Sequence, residues 1–87
     1  MYTVRWTQSA LEELADVWVS ADATERVAIN TAADQVDALL SNAPENEGES
    51  RAGNRRITFV APLVLVFTVD SPNGIVRVLH VSRYGTS

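Results

Sequence analysis

The chain of 87 residues contains no cysteine, no lysine and a single histidine. Without cysteine it can form neither a disulfide framework nor a thiolate metal site, and it has no thiol nucleophile. No apolar run approaches the ~20 residues that a membrane-spanning helix needs. The opening residues, MYTVRW, lack the basic and apolar stretches of a secretory signal. We therefore expect one cytoplasmic domain over residues 1–87, with no membrane contact.

The net charge of −4 conceals two halves of opposite sign. Residues 1–50 hold ten of the eleven acids and two arginines, for a net of −8, whereas residues 51–87 hold five arginines and one aspartate, for a net of +4. This asymmetry is typical of a surface for nucleic acid or an acidic partner, but helices with a solvated acidic face would also produce it. The candidate target-binding residues are Arg51, Arg55, Arg56, Arg77 and Arg83.

The first half of the chain carries one strand signal and two helix signals. Residues 2–6 alternate apolar with polar side chains, which predicts a half-buried strand. Ser9 and Glu12 have the spacing of a capping box, and Asp22 and Glu25 repeat it. The apolar stripe of the first helix is Leu11, Leu14, Trp18 and Ala21. The stripe of the second is Ile29, Ala32, Val36, Leu39, Leu40 and Ala43, and it ends at Pro44.

The pattern of the second half of the chain predicts a polar loop and three strands. Residues 44–54 form the loop, and in the strand after it Ile57 and Phe59 are the expected core residues. Residues 63–69 are apolar on both faces, as in a central strand. Residues 71–74, Ser-Pro-Asn-Gly, predict a hairpin turn before the last strand. The predicted fold is α+β in the order β-α-α-β-β-β, a helical hairpin packed on a small, mainly antiparallel four-stranded sheet.

The sequence resembles the RelE/ParE superfamily of bacterial toxins from type II toxin–antitoxin systems. The resemblance lies in the opening YTVRWTQSALEELADVW, in AADQVDALL, in NRRI, in PLVLVFTVD and in the closing IVRVLHVSRY. It implies the fold just described, a cognate antitoxin as partner, and no metal or small-molecule cofactor. RelE-like members cut messenger RNA on the ribosome, whereas ParE-like members poison DNA gyrase.

The resemblance to RelE-like enzymes implies Arg56, Arg83 and Tyr84 as catalytic residues. RNA cleavage without a metal needs a base, an acid and a cation that stabilises the phosphate. Strand alternation places Arg55 and Arg56 on opposite faces. We expect Arg56 to face the substrate, since Arg55 shares its face with the presumed core residues. A solvated arginine at the edge of a strand is the alternative interpretation.

Two departures from the YoeB branch weaken the enzymatic interpretation. That branch has an arginine entering the third strand, where this chain has Ala61-Pro62-Leu63, and a terminal His-Tyr pair, where Gly85 and Thr86 stand here. The only histidine, His80, lies inside the last strand, where a structural role is the more common one. We therefore expect a toxin that binds DNA gyrase or is attenuated; the alternative is a ribosome-dependent endonuclease.

Overall fold

The computed structural model describes residues 1–51 and 53–84, and these form two helices on one face of a sheet. The elements are β1 (Thr3–Trp6), α1 (Gln8–Val19), α2 (Ala23–Asn42), a 3-10 turn (Pro44–Asn46), β2 (Glu49–Ser50), β3 (Arg55–Val60), β4 (Leu63–Asp70) and β5 (Ile75–Arg83). The strand order is β1-β5-β4-β3-β2, with β1 parallel to β5 and the other pairs antiparallel. The predicted α+β class is confirmed.

The sheet has a fifth strand that the sequence did not predict. The two-residue strand β2 forms within the segment expected to be a loop, and it pairs Glu49 with Ile57 and Ser50 with Arg56. Gly48 makes this pairing possible, because its φ of +69° turns the chain and a side chain there would overlap the carbonyl oxygen of Ile57. None of the helices within residues 1–51 and 53–84 is long and apolar enough to cross a membrane.

One of the two predicted helix caps is confirmed. The Asp22 carboxylate accepts the backbone N–H of Glu25 at 2.8 Å, and the Glu25 side chain accepts the backbone N–H of Asp22 at 3.0 Å. The box at Ser9 is wrong, because α1 begins earlier and its cap is Thr7, whose hydroxyl accepts the backbone N–H of Ala10. Thr7 is fixed in an extended conformation at the end of β1 by a bond from its N–H to the Val78 carbonyl, so its hydroxyl reaches the first turn.

The core lies between the helices and one face of the sheet. The side chains that are almost fully buried on α2 are Ile29, Ala32, Val36 and Leu40, as predicted. On the sheet they are Leu63, Leu65, Phe67, Val76 and Val78. Of the other stripe residues, Ala21 is buried and Leu14 packs against the core, as predicted. Leu39, Leu11 and Trp18 depart from expectation, with exposures of 43%, 48% and 38%, and α1 buries Ala10. The central position predicted for residues 63–69 is confirmed, since β4 lies between β3 and β5.

The orientation of β3 is the reverse of the prediction. Val60 pairs with Leu63 across the turn, so Thr58 and Arg56 lie opposite the buried Leu65 and Phe67. Directly opposed residues point to the same side of an antiparallel pair. The face towards the helices therefore carries Arg56, Thr58 and Val60, and the presumed core residues Ile57 and Phe59 point away from the helices.

Candidate functional site

Three arginines lie in one row across the face of the sheet that the helices leave uncovered. Arg5 on β1 is the register partner of Arg77 on β5, and Thr68 on β4 pairs with both Arg77 and Arg55 on β3. The three arginines are exposed. With strands ~4.8 Å apart, the Cα atoms of Arg5 and Arg77 lie ~5 Å apart, and those of Arg77 and Arg55 ~10 Å. We call Arg5, Arg77 and Arg55 the basic row.

The charge of the basic row is largely uncompensated. Within residues 1–51 and 53–84, the side chains of Arg5 and Arg55 make no hydrogen bond or ion pair. The guanidinium of Arg77 approaches the Asp70 carboxylate, with a long N–O distance of 3.9 Å. Like charges directly opposed on neighbouring strands, as at Arg5 and Arg77, are destabilising. The row therefore has the electrostatic character of a surface that gains energy from an anionic partner.

An apolar strip lies beside the basic row on the same face. It consists of Ile57 and Val66, which pair with each other, and Phe59 and Val64, which form the next pair on this face. Phe59 is 60% exposed, and its ring meets the Tyr84 ring edge to face with centroids 5.2 Å apart. This face thus carries charge towards the start of β3 and exposed apolar surface towards its end.

The guanidinium of Arg56 is hydrogen-bonded within the fold, to the segment around β2. Its guanidinium donates to the carbonyl oxygen of Glu47 at 2.9 Å, to that of Gly48 at 3.1 Å and to the Ser50 hydroxyl at 2.9 Å. These bonds hold the segment that leads into β2 against β3. The expectation that Arg55 shares its face with the core is wrong, because the register of β3 directs Arg55 to the open face. Arg56 lies on the other face, and its contact with a substrate stays a prediction.

Arg51 lies at the rim of an open groove of about 450 Å³ at the start of β3. Its guanidinium pairs with the Glu49 carboxylate at 3.2 Å, and Arg55 and Arg56 also line the groove. Glu45 also lines the groove, and its carboxylate accepts the Tyr2 hydroxyl at 2.7 Å. The groove is thus lined by three arginines and one carboxylate, and the guanidinium groups of Arg51 and Arg56 already have partners within the domain.

Arg83 lies far from Arg56, at the other end of the sheet. It forms an ion pair with Glu25 of α2, on the side of the sheet that the helices cover. Arg83 pairs with Leu63 and Arg56 with Phe67, four residues further along β4, so the two arginines are ~13 Å apart along the strand. Tyr84 contacts Phe59 on the opposite face. The structure does not assemble Arg56, Arg83 and Tyr84 into one site.

His80 contacts the first helix. Its Nδ1 lies 3.3 Å from the Oε1 atom of Glu13, and the same oxygen accepts the backbone N–H of Val81 at 3.0 Å. The strand β1 pairs only with residues 75–78 of β5, so the backbone N–H of Val81 lies beyond the end of β1. The Glu13 carboxylate accepts this N–H where a neighbouring strand would otherwise do so. This agrees with a structural role for His80. The positions Gly85 and Thr86 lie outside the described residues.

Sequence reasoning missed Arg5 as a member of the site. Alternation in β1 predicts that Arg5 points away from Tyr2, Val4 and Trp6, which pack on the core. It does not reveal that β1 lies parallel to β5 with Arg5 beside Arg77, since strand order is a property of the tertiary fold.

No protein-family model and no curated protein matches the chain. Solved structures do match it. The toxin–antitoxin complex RelBE2 from Mycobacterium tuberculosis has a TM-score of 0.78 and 20% identity over 98% of this chain and 93% of that chain. The chromosomal ParDE system of P. aeruginosa has a TM-score of 0.75 and 21% identity, covering 97% of both chains. The isolated E. coli RelE toxin has a TM-score of 0.68 and 19% identity, covering 100% and 88%.

These likenesses extend over nearly the whole chain and at least 88% of each of those three structures. The chain therefore has the RelE/ParE toxin fold, as the sequence resemblance implied. Structures with the names RelBE2, ParDE and RelE all match, so the likeness does not distinguish between the branches.

Proposed function

We propose that the chain is the toxin component of a type II toxin–antitoxin module and that it contacts its target with the helix-free face of the sheet. The shared fold supports the first part, because the similar structures are toxins or toxin–antitoxin complexes. The basic row supports the second part and is the observation that carries it. The three arginines are exposed, and the side chains of Arg5 and Arg55 make no hydrogen bond or ion pair within the described residues.

We further propose that the chain acts by binding rather than by cutting RNA, with DNA gyrase as the target or with attenuated toxicity. General acid–base catalysis needs groups within hydrogen-bond reach of the same reacting atoms. Arg56 and Arg83 are ~13 Å apart along the sheet, and both guanidinium groups have partners within the domain. This separation supports a binding function.

A ribosome-dependent endonuclease remains the second candidate, because one observation favours it. The hydroxyl-bearing ring of Tyr84 is exposed and contacts Phe59, on the same face as the basic row. In this alternative the arginines of the basic row, and not Arg56 and Arg83, supply the positive charge that stabilises the phosphate of the RNA. Arg55 and Phe59 are four residues apart on β3, so a substrate has to span ~13 Å to reach both ends of the face.

Inducible expression tests the proposal. Wild type should arrest growth, and Arg55→Ala/Arg77→Ala should relieve the arrest, because it removes two guanidinium groups from the basic row. Asn30→Asp/Gln35→Glu is the matched control, since it changes the net charge equally at exposed positions of α2. Arrest by the arginine variant and the control alike would contradict the proposed surface, and absence of arrest by wild type would leave an attenuated protein.

Two assays identify the target: gyrase supercoiling with the purified protein, and primer extension on messenger RNA from the same strains. Inhibition of gyrase supercoiling by purified protein, with no new cuts in primer extension, is the expected result. Ribosomal cuts in messenger RNA that disappear in Tyr84→Phe would establish the endonuclease instead. Arg56→Ala is not informative in these assays, because we expect the loss of its three hydrogen bonds to destabilise the fold.

We also propose a cognate antitoxin as partner. The similar RelBE2 and ParDE structures come from toxin–antitoxin systems. Exposed apolar residues on the helices, such as Val19 and Val27, provide surface for a partner to cover. The product of a neighbouring reading frame should co-purify with the chain, raise its melting temperature and abolish growth arrest. Failure of all three would contradict the assignment to a toxin–antitoxin module.

A further inference from the structure

We propose that Asn73, in the turn between β4 and β5, is a site of spontaneous deamidation. Its side-chain amide cyclises onto the backbone nitrogen of Gly74, and hydrolysis of the resulting succinimide ring leaves aspartate or isoaspartate at position 73. A hydrogen bond to Asp70 slows this conversion in the folded chain, and the new carboxylate weakens the basic row. The modification goes beyond the proposed function, since its chemistry needs no partner protein and no target.

The sequence singles out Asn73, because it alone among the asparagines is followed by glycine. A side chain on the next residue hinders the attack of that residue's nitrogen on the asparagine carbonyl carbon, and glycine has no side chain. Asn73 is also exposed at the tip of a turn, where water and hydroxide reach it. The other asparagines all precede residues that carry side chains: Asn30, Asn42, Asn46 and Asn54.

The conversion balances without a cofactor or an oxidant. The Gly74 nitrogen loses its proton to solvent and bonds to Cγ of Asn73. The Cγ–Nδ2 bond then breaks, and the amino group takes a proton from solvent and leaves as ammonia. Water adds to one carbonyl of the ring: breakage of the new Cγ–N bond gives aspartate, whereas breakage of the original peptide bond gives isoaspartate. Either product replaces a neutral amide with a carboxylate, which is ionised at neutral pH.

Both reacting groups have hydrogen-bond partners in the turn. The Nδ2 atom of Asn73 donates to the Asp70 carboxylate at 2.9 Å. The Gly74 N–H donates to the Ser71 carbonyl oxygen at 3.2 Å. The first bond fixes the amide that has to rotate towards Gly74, and the second fixes the nitrogen that has to attack. Both bonds therefore have to open before the ring can close, and Asp70 acts as a positioning residue that slows the reaction.

The Asp70 carboxylate couples the turn to the basic row. Its Oδ2 atom accepts the Asn73 amide at 2.9 Å and lies 3.9 Å from the Arg77 guanidinium. A carboxylate at position 73 has no proton to donate to this oxygen, and its charge adds to that of Asp70 beside Arg77. The deamidated face therefore attracts an anion less strongly than the original face.

Isoaspartate has a second effect, on the pairing of β1 with β5. It adds a methylene carbon to the backbone just before Gly74. The Gly74 carbonyl oxygen accepts the Thr3 N–H at 2.8 Å, next to the first register pair of the two strands. Arg5 and Arg77 form the register pair two residues further along. The longer backbone displaces Gly74 from Thr3 and so loosens the end of the sheet that holds the basic row.

Peptide mapping of the aged protein tests the modification. The purified, folded chain is incubated in mildly alkaline buffer, and an unincubated sample gives the baseline. Trypsin releases residues 57–77, in which Asn73 is the only side chain with an amide. Liquid chromatography with mass spectrometry then separates the aspartate and isoaspartate peptides from the original one. We expect position 73 to convert before any other asparagine, and faster as the pH rises, because the Gly74 nitrogen has to lose its proton.

Variants at positions 70 and 73 test the cause of the rate. Asn73→Gln keeps an amide but has to close a larger ring, so its peptide should stay unconverted. Asp70→Ala should speed the conversion of Asn73 about threefold to tenfold, as expected for the loss of one hydrogen bond. Asp70→Asn keeps an acceptor oxygen and should stay near the wild-type rate, which a general loosening of the turn by any substitution would not explain.

Titration with inorganic tripolyphosphate tests the effect on the basic row. In the ¹⁵N-labelled protein at low salt, this anion should shift the amide signals of Arg5, Arg55 and Arg77. Asn73→Asp should weaken this binding about threefold, the effect of one added charge a few Å away in water. Asn30→Asp makes the same charge change at an exposed position of α2 and should bind like wild type.

Three outcomes would overturn the proposal. If Asn73 stays intact in the folded chain while it converts in urea, the turn is not a modification site. Equal rates in wild type and Asp70→Ala would remove the role of Asp70. Equal binding of tripolyphosphate by wild type and Asn73→Asp, or no binding by either, would remove the effect on the basic row. Failure of the proposed function is distinguishable from all three, because none of these measurements depends on growth arrest.

Discussion

Arg55 and Arg56 are adjacent and chemically identical, yet their replacement by alanine should have different effects on stability. Arg56 donates three hydrogen bonds to the segment before and within β2, whereas the Arg55 side chain makes none within the described residues. A hydrogen bond to a charged group contributes ~1.5–3 kcal/mol. Two of the three bonds are exposed, so water replaces part of the loss. We expect Arg56→Ala to lower the unfolding free energy by about 2 kcal/mol.

Arg55→Ala should cost less than ~0.5 kcal/mol, as is typical of exposed positions. Urea denaturation followed by circular dichroism measures both variants, and an unchanged m-value would show that the difference is one of stability. For a domain of this size the Arg56 variant should melt ~8–16 °C below wild type. Equal losses for the two variants, or a loss below ~0.5 kcal/mol for Arg56→Ala, would refute the assignment of Arg56 to the fold.

Two further matched pairs test the fold. Gly48→Ala should destabilise far more than Gly53→Ala: both glycines have positive φ, which costs an alanine ~1–2 kcal/mol, but at Gly48 the new Cβ would also overlap the Ile57 carbonyl oxygen. Similar melting temperatures for the two variants would contradict the close approach of these strands. Leu65→Ala should cost ~2–5 kcal/mol and Leu39→Ala less than ~1, since Leu65 is fully buried and Leu39 is 43% exposed. If denaturant titrations showed a larger loss of unfolding free energy for Leu39→Ala than for Leu65→Ala, the core would not lie where the structure has it.

Local patterns were enough to predict most of the elements. The alternation in β1, four of the six stripe residues of α2 and the Asp22–Glu25 cap are contained in short stretches of chain, and these are confirmed. The helical period of α2 also identified its buried residues, because a helix long enough to show several turns has only one face that can meet the sheet. The predicted order of helices and long strands followed from these signals together with the turn at residues 71–74.

Tertiary contacts decided the faces of the strands and therefore the candidate site. In β3 both faces carry apolar residues, so alternation could not tell which face packs on the helices. The pairing of Val60 with Leu63 decided it, and it sent Ile57, Phe59 and Arg55 outward. Arg56 and Arg83 acquired partners in distant segments, the loop before β2 and the helix α2. The basic row depends on the parallel pairing of β1 with β5, two strands about seventy residues apart whose contact no local pattern encodes.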